Sequence, residues 1–319
     1  MLYDLMFSVS IILPMVILVF IGLQLRRVGI FSKHFLVGAN KLVFYIAIPS
    51  LLFISVSTSN LSQIFDPFFA IFLLAGTTVA FLLLWLFTYL ILRKRAPDVI
   101  SAFVQGSFRG NIVIVAIPIL FSILGEEGQA LGGLSIAVLI PLFNFLSIIL
   151  LVTHSEKGGK ISVKSLIIGI VKNPPIIATA SAILVYILNI QLPGFLISTL
   201  SYTSSIATPL ALMCLGGGLS FQGFDKKFKY SFISAFIKVV GIPVMFTIAA
   251  FLVGFRGESL ITIAIVQGVP TAVAGHVMIV EIGGDTYVSG TNILISTVMS
   301  AFTMTLAIFT LRTLGIVAV

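Results

Sequence analysis

Ten long runs of apolar residues account for almost the whole chain. Each is about 20 residues long, the length that lets an α-helix cross roughly 30 Å of hydrocarbon. The runs, numbered here as spans 1 to 10, cover residues 5–24, 35–57, 67–92, 99–122, 130–152, 165–188, 195–219, 230–253, 258–280 and 287–311. Because 59% of the residues are hydrophobic and only 9% are charged, a soluble domain is excluded. We predict an all-α membrane protein with ten transmembrane helices.

The apolar runs do not have the pattern of barrel strands. Strands of a transmembrane β-barrel alternate apolar and polar residues, whereas AIFLLAGTTVAFLLLWLFTYLILRK at 70–94 shows no alternation. The single cysteine, Cys214, excludes an internal disulfide bond and a cysteine-based metal cluster. We therefore expect helices, and the sequence points to no cofactor and no metal ion.

Basic residues are concentrated in alternate loops between the runs. The net charge is +8, and twelve of the 18 basic residues lie in four loops: Arg26, Arg27 and Lys33; Arg93, Lys94 and Arg95; Lys157, Lys160 and Lys164; Lys226, Lys227 and Lys229. Loops rich in lysine and arginine face the cytoplasm, so both chain ends are expected on the outer side. No basic patch is interleaved with exposed aromatic residues, so we expect no nucleic-acid partner.

Short stretches recur in the same order in the two halves of the chain. IAIPSLLF at 46–53 is echoed by IATPLALM at 206–213, and VQG at 104–106 returns at 266–268. With five spans in each half, the second half must cross the membrane in the opposite sense. Inverted repeats are typical of secondary transporters. We predict two inverted five-helix repeats, residues 1–160 with spans 1 to 5 and residues 161–319 with spans 6 to 10.

Spans 4 and 9 contain residues that interrupt helices. Span 4 includes SFRGNIVIVAIP at 107–118, and span 9 includes QGVPTAVAGH at 267–276. At about 1.5 Å per residue, Arg109 and Asn111 lie roughly 15 to 18 Å inside the membrane. Glycine tolerates unwinding, and proline removes a backbone donor. We predict broken, crossing helices in both spans, with Pro118, Gly268 and Pro270 as the helix-break and crossover residues.

Two broken helices that cross near the midplane would form a site for an anion. Lipid offers unwound backbone no hydrogen bonds, so such backbone is tolerated only inside protein or beside a cavity. A half-helix that begins at a break presents free N–H groups and a positive dipole end, which attract a carboxylate. The sequence therefore predicts a shared pocket for a small organic anion.

Four segments resemble the auxin efflux carrier family, which includes bacterial permeases of the malonate-transporter type and plant auxin carriers. They are GNIVIVAIPIL at 110–120, PLFNF at 141–145, PTAVAGHVMIVEIGGD at 270–285 and NKLVFYIAIPSLLF at 40–53. The resemblance implies a bile-acid symporter or NhaA-like fold. In that fold a panel domain of spans 1, 2, 6 and 7 supports a core domain of spans 3 to 5 and 8 to 10. It also implies elevator-type alternating access, organic-anion substrates and homodimers.

The resemblance also implies roles for particular residues. Asn111 matches the family's crossover asparagine, which would donate to a substrate carboxylate, and Asn144 matches a polar residue of span 5 that faces the core. His276 departs from the small or hydroxyl residue expected at its position. The candidate substrate-binding residues are Asn111, Gly110, Arg109, Asn144, Pro270, Thr271, Gly275 and His276. The candidate residues for coupling to H⁺ or Na⁺ are His276, Lys238, Gln105 and Gln267.

Several of these side chains have a structural alternative. Arg109 could attract an anionic substrate, or its guanidinium could bond to carbonyl groups at a half-helix end, and Lys238 faces the same choice. His276 could carry a proton, or it could be a neutral histidine bonded to a neighbour. Asn111 could bind substrate or satisfy unwound backbone.

The functional prediction is secondary transport of a mono- or dicarboxylate, malonate-like or auxin-like. An anion channel or a membrane receptor is the alternative. An intramembrane enzyme fits less well, because no His-Glu-x-x-His motif and no Gly-x-Ser-x-Gly elbow occurs. Only HSEKGGKISVK at 154–164 connects spans 5 and 6, where many plant carriers have a long hydrophilic loop. We therefore expect a multi-pass protein of the bacterial plasma (inner) membrane.

Overall fold

The described part of the chain consists of helices joined by short turns. The computed structural model describes residues 2–58, 66–93, 96, 99–154, 174–218 and 226–316. In these ranges there is no β-strand, and a single isolated bridge pairs Gly110 with Thr271. The predicted repeat boundary at 160/161, the loop lysines at 157, 160 and 164, and residues 165–173 of span 6 lie outside the described residues.

The helices are labelled here in chain order. The α-helices are α1 Leu2–Arg27, α2 Lys33–Leu42, α3 Ile48–Thr58, α4 Pro67–Leu92, α5 Ile100–Phe108, α6 Ile117–His154, α7 Pro174–Ile187, α8 Gly194–Ser205, α9 Ala207–Gly218, α10 Phe228–Phe236, α11 Ile242–Val253, α12 Gly257–Gly268, α13 Val273–Ile282 and α14 Thr286–Thr313. Three π-helical turns are π1 Val43–Ala47, π2 Ile112–Ala116 and π3 Ile237–Gly241.

Within the described ranges, seven helical segments are long and apolar enough to cross a membrane. They are Met6–Arg27, Lys33–Ile54, Pro67–Leu92, Ile112–His154, Gly194–Gly218, Phe228–Val253 and Thr286–Thr313. An all-α membrane protein is therefore confirmed, whereas the count of ten spans stays a prediction. The count of seven is lower than ten partly because the breaks in spans 4 and 9 leave α5, α12 and α13 with only 9, 12 and 10 residues. These helices are too short to be counted as membrane-spanning. Residues 112–154 also join the end of span 4 to span 5, with non-helical Gly125 (φ 64°) between them.

Each π-turn lies directly before an Ile-Pro pair. The prolines are Pro49, Pro118 and Pro243, each at the second residue of the helix that follows. Proline has no N–H and clashes with the carbonyl group four residues back, which in all three cases belongs to the π-turn. The wider turn relieves that clash without ending the helix. Pro118 is thus accommodated in continuous helix, and the backbone of span 4 leaves helical geometry earlier, at Arg109.

Two close helix contacts depend on glycine. Helix α1 packs against α9 and α14, and a Cβ atom added at Gly22 would lie 1.9 Å from the carbonyl oxygen of Met213. A Cβ atom added at Gly216 would lie 1.8 Å from the carbonyl oxygen of Val19. Small residues permit this backbone approach, which is a common basis of helix packing in membranes.

The short helices α5 and α12 lie at the centre of the protein. All nine residues of α5 are buried, as are residues 260–268 of α12. In contrast, no residue of α8 is buried. Helix α5 packs against α4, α10 and α14, and α12 packs against α6 and α11. The C-terminal ends of α5 and α12 are therefore buried in protein, where unwound backbone can find partners.

Candidate functional site

Both central helices stop in the middle of the protein. Helix α5 ends at Phe108, Arg109 is extended (φ −84°, ψ 104°), and helical geometry resumes after Asn111. Helix α12 ends at Gly268, Val269 is extended (φ −61°, ψ 154°), and α13 begins after Ala272. Spans 4 and 9 are therefore interrupted, at 109–111 and 269–272.

The two interruptions pair with each other. The N–H group of Asn111 donates to the carbonyl oxygen of Pro270 (2.8 Å), and the N–H group of Ala272 donates to the carbonyl oxygen of Arg109 (2.9 Å). These bonds flank the antiparallel bridge between Gly110 and Thr271. Four backbone groups that unwinding exposes are thus satisfied inside the protein.

Side chains satisfy carbonyl groups at the ends of α5 and α12. The hydroxyl of Thr271 donates to the carbonyl oxygen of Gly106 (2.7 Å), and the hydroxyl of Ser234 donates to that of Phe103 (2.8 Å). The ammonium group of Lys238 donates to the carbonyl oxygen of Gln267 (2.5 Å). The carbonyl groups of Gly106 and Gln267 lie in the last turns of α5 and α12, where helical partners are missing. Thr271 and Lys238 therefore replace interrupted helical bonds, whereas Ser234 adds a bond to a carbonyl group inside α5.

Asn111 lies at the crossover with an unused donor. Its side chain is 7% exposed, and its Nδ2 atom is buried with no hydrogen-bond partner among the described residues. Buried polar groups in folded proteins are nearly always paired. The amide of Asn111 is therefore an exception, a buried donor at the crossover without a described partner.

Arg109 connects three elements around the crossover. Its guanidinium donates from Nη2 to Oδ1 of Asn144 (2.8 Å), and from Nη1 to Oγ of Ser147 (3.2 Å) and Sδ of Met278 (3.1 Å). The sequence predicted Arg109 and Asn144 as separate candidates, and the structure brings them into direct contact. The oxygen of Asn144 faces a cation here, so Asn144 orients Arg109.

Two buried cations flank the crossover without a carboxylate. Arg109 is 4% exposed and Lys238 is fully buried. Among the side chains that the structure describes, no aspartate or glutamate bonds to either of them, and the ion pair between Lys227 and Asp285 involves a different lysine. An uncompensated buried charge costs several kcal/mol. The crossover therefore contains two buried basic side chains that no described carboxylate neutralises.

The remaining candidate residues lie around the same region. Oε1 and Nε2 of Gln105 are buried without a partner in the described structure, and a Cβ atom added at Gly275 would lie 2.5 Å from that Oε1. Nε2 of Gln267 donates to Oγ1 of Thr77 (3.3 Å). Nδ1 of His276 lies 2.8 Å from Oγ of Ser289, so His276 has a protein partner.

A cavity of about 630 Å³ reaches the crossover from between α1, α9 and α14. Pro270 forms part of its wall together with Val115 and Ile119, and Arg26 and Arg27 also line it. Apart from the two arginines and the hydroxyls of α14, its lining is apolar. The cavity therefore combines an apolar wall with positive charge from the last turn of α1.

Comparison with known proteins identifies the family. A family model described as a membrane transport protein matches residues 7–308 of the chain. The chain belongs to this family. It is the auxin efflux carrier family that the four segments predict, so that resemblance is confirmed.

Several similar proteins are named as transporters. An uncharacterized transporter of Methanocaldococcus jannaschii is 25% identical over 84% of this chain and 87% of its own length. An uncharacterized transporter of Methanothermobacter thermautotrophicus is 24% identical over 94% of this chain and 97% of its own length. The Escherichia coli uncharacterized transporter YfdV is 22% identical, over 85% and 87% respectively. A membrane transporter is thus the functional class of this family member.

Some polar residues of this auxin efflux carrier homologue were not predicted from its sequence. Ser147 and Met278 hold Arg109, and Ser296 accepts from the N–H group of Thr271 (3.1 Å). Nδ2 of Asn292 donates to Oγ of Ser234 (2.8 Å). The available signal was a single serine or asparagine inside an otherwise apolar span, which identifies a buried polar group without identifying its partner.

Proposed function

We propose that this protein is a secondary transporter of a small organic anion, a mono- or dicarboxylate of malonate-like or auxin-like type. The observation that carries the proposal is the composition of the crossover. Two buried basic residues, Arg109 and Lys238, lie beside Asn111. In the described part of the chain neither has a carboxylate partner, and the amide donor of Asn111 is unused. An anion supplies the negative charge that Arg109 and Lys238 lack as a partner, and it supplies a hydrogen-bond acceptor for the amide of Asn111.

The helix dipoles favour the same substrate charge. The second halves of the broken spans begin after Asn111 and Ala272, so their N-terminal N–H groups lie at the crossover. A helix N-terminus carries a partial positive charge of roughly half an elementary charge. In the proposed complex, Asn111 donates to a substrate carboxylate, and Gly110, Thr271 and Gly275 keep the backbone close enough for contact.

The cavity between α1, α9 and α14 is the proposed route to the site. Pro270 lies in its wall and accepts from the N–H group of Asn111, so the cavity leads directly to the crossover. Its apolar lining accommodates the hydrocarbon part of an organic acid. Arg26 and Arg27 attract the anion from the cytoplasmic side, where the distribution of basic loops places them.

The proposed mechanism is elevator-type alternating access in a chain of ten spans. The two inverted repeats, residues 1–160 and 161–319, contribute a panel of spans 1, 2, 6 and 7 and a core of spans 3 to 5 and 8 to 10. The backbone bonds between Asn111 and Pro270 and between Ala272 and Arg109 hold both broken helices in the core. The core would then move as one body against the panel helices, in a homodimer of the bacterial inner membrane.

The test is removal of the unused amide of Asn111. Purified protein is screened by thermal shift against malonate and indole-3-acetate, because a bound ligand raises the unfolding temperature by mass action. Asn111→Ala should weaken binding of the stabilising acid by about 1.5 to 3 kcal/mol, roughly tenfold to more than a hundredfold. Asn40→Ala, which removes an exposed amide from α2, should bind normally.

The transport class is tested with the same acid in proteoliposomes. A carrier exchanges labelled for unlabelled substrate and therefore gives transient accumulation of label, whereas a channel only equilibrates it. Counterflow in wild-type protein that is lost in Asn111→Ala is the expected result. Equal acid affinity in wild type and Asn111→Ala, or equilibration without counterflow, would overturn the proposal.

A further inference from the structure

Lys238 has an unusual position for a charged residue. It lies on π3 in the middle of a segment long enough to cross the membrane, and its side chain has no exposed surface. A π-turn inside an α-helix is frequently found at a functional site. Here it places the one lysine of that segment's interior against the crossover.

The ammonium group replaces a missing helix bond. In an uninterrupted helix, the carbonyl oxygen of Gln267 would accept from the N–H group of Thr271, four residues later. The N–H group of Thr271 instead donates to Oγ of Ser296 (3.1 Å), and the carbonyl oxygen of Gln267 accepts from Nζ of Lys238 (2.5 Å). A cation thus occupies the C-terminal end of α12.

The end of α5 faces the same ammonium group. A Cβ atom added at Gly110 would lie 3.4 Å from both Cε and Nζ of Lys238, so the ammonium lies against the backbone that follows α5. Helices α5 and α12 both run toward the crossover and end there, at Phe108 and Gly268. Each C-terminus carries a partial charge of roughly −0.5, which favours a cation nearby.

We infer that the ammonium group of Lys238 is a built-in cation, which takes the place that a bound sodium ion would hold between two helix C-termini. The inference rests on the proposed function and specifies its coupling: transport does not use sodium. Removal of the lysine side chain leaves a buried carbonyl oxygen, that of Gln267, in a negative field with free space beside it. Sodium is a hard cation that binds oxygen ligands, so we expect the truncated variant to bind sodium in this space.

The experiment compares thermal unfolding in sodium chloride and in choline chloride at equal ionic strength. Wild-type protein should unfold at the same temperature in both salts. Lys238→Ala should unfold at a lower temperature in choline chloride and should be restored saturably by sodium. At a sodium concentration of about ten times the dissociation constant, the expected recovery is about 3 to 6 °C.

Lys238→Met is the matched control. It removes the same charge but leaves an unbranched side chain in the space, so sodium should not raise its unfolding temperature. Lys238→Ala is purified in sodium chloride if it does not fold in choline chloride. The inference requires folded protein in sodium chloride, so failure to fold in both salts contradicts it. Saturable stabilisation of wild type by sodium, or an equal response of the Ala and Met variants, also overturns it.

These measurements use no organic acid. A negative result with sodium would therefore leave the anion site at Asn111 intact, and a negative result in the acid screen would leave the built-in cation intact. The failure of one proposal can therefore be distinguished from the failure of the other.

Discussion

The N–H group of Asn111 donates to the carbonyl oxygen of Pro270 over 2.8 Å, which joins the two broken spans at their interruptions. Proline has no N–H group, so Pro270 can only accept in this pairing. The complementary bond runs from Ala272 to Arg109. A site built on these residues therefore keeps its shape when the helices that carry it move together.

The hydroxyl of Thr271 should contribute measurably to the stability of the crossover. Thr271→Val removes the donor to the carbonyl oxygen of Gly106 and leaves that oxygen buried without its partner. We expect a loss of about 1 kcal/mol in the free energy of unfolding, within the range for interhelical hydrogen bonds in membranes. Chemical unfolding in mixed micelles measures the change.

Thr310→Val is the control for that variant. The hydroxyl of Thr310 is exposed and donates to the carbonyl oxygen of Leu306 within the same helix, so its loss should be nearly neutral. Equal stability of the two variants would show that the bond between Thr271 and Gly106 does not support the crossover.

The close contact between α1 and α9 should not tolerate a methyl group. Gly216→Ala places a Cβ atom 1.8 Å from the carbonyl oxygen of Val19, so the two helices must separate. Overpacking of this kind costs about 1 to 3 kcal/mol, which should lower the thermal unfolding midpoint. Gly218→Ala, two residues later in the same helix, has open space around the added Cβ atom.

Because alanine is a better helix former than glycine, Gly218→Ala should be neutral or stabilising by up to about 1 kcal/mol. The contrast between the two variants thus separates the helix contact from helix propensity. If the Gly216→Ala variant were as stable as the Gly218→Ala variant, the result would argue against a tight contact between α1 and α9.

The interruptions of spans 4 and 9 could be located from the sequence because their cause is local. Glycine and proline alter backbone geometry wherever they occur. A cluster such as GVP at 268–270 inside a membrane span therefore indicates an interrupted helix. Pro118 shows the limit of this reasoning, since π2 absorbs its clash and the backbone leaves helical geometry at Arg109 instead.

The partners of the buried polar groups could not be predicted in the same way. Arg109 and Asn144 are 35 positions apart, and Lys238 and Gln267 are 29 positions apart, so their contacts depend on how whole helices pack. The sequence showed that each side chain was costly to bury. It did not show that Oδ1 of Asn144 accepts from Arg109.

The guanidinium of Arg109 should be replaceable neither by lysine nor by a neutral side chain. An ammonium group cannot reproduce a planar fork that donates to Asn144 and Ser147 at the same time. We expect Arg109→Lys to lower stability and to weaken binding of the organic acid. Thermal unfolding and acid titration measure the two effects separately.

A double-mutant cycle isolates the contact between Arg109 and Asn144. The variants are Arg109→Met, which removes every donor of the side chain, Asn144→Ala, and the combination of both. A hydrogen bond to a charged group contributes about 1.5 to 3 kcal/mol, so the double variant should be less destabilised than the sum of the single variants by about that amount. Additive effects would mean that the bond contributes no net stability.

The positive charge beside the cavity should act on the substrate at long range. Arg27 is exposed and lines the cavity, so Arg27→Gln should weaken binding of the stabilising organic acid about two- to fivefold at about 0.01 M salt. The difference should disappear near 1 M salt, where screening shortens to about 3 Å. Lys33→Gln removes an exposed charge from the first residue of α2, which does not line the cavity. It should leave the affinity unchanged at both salt concentrations, and an equal effect of both substitutions would assign the attraction to overall charge and not to the cavity.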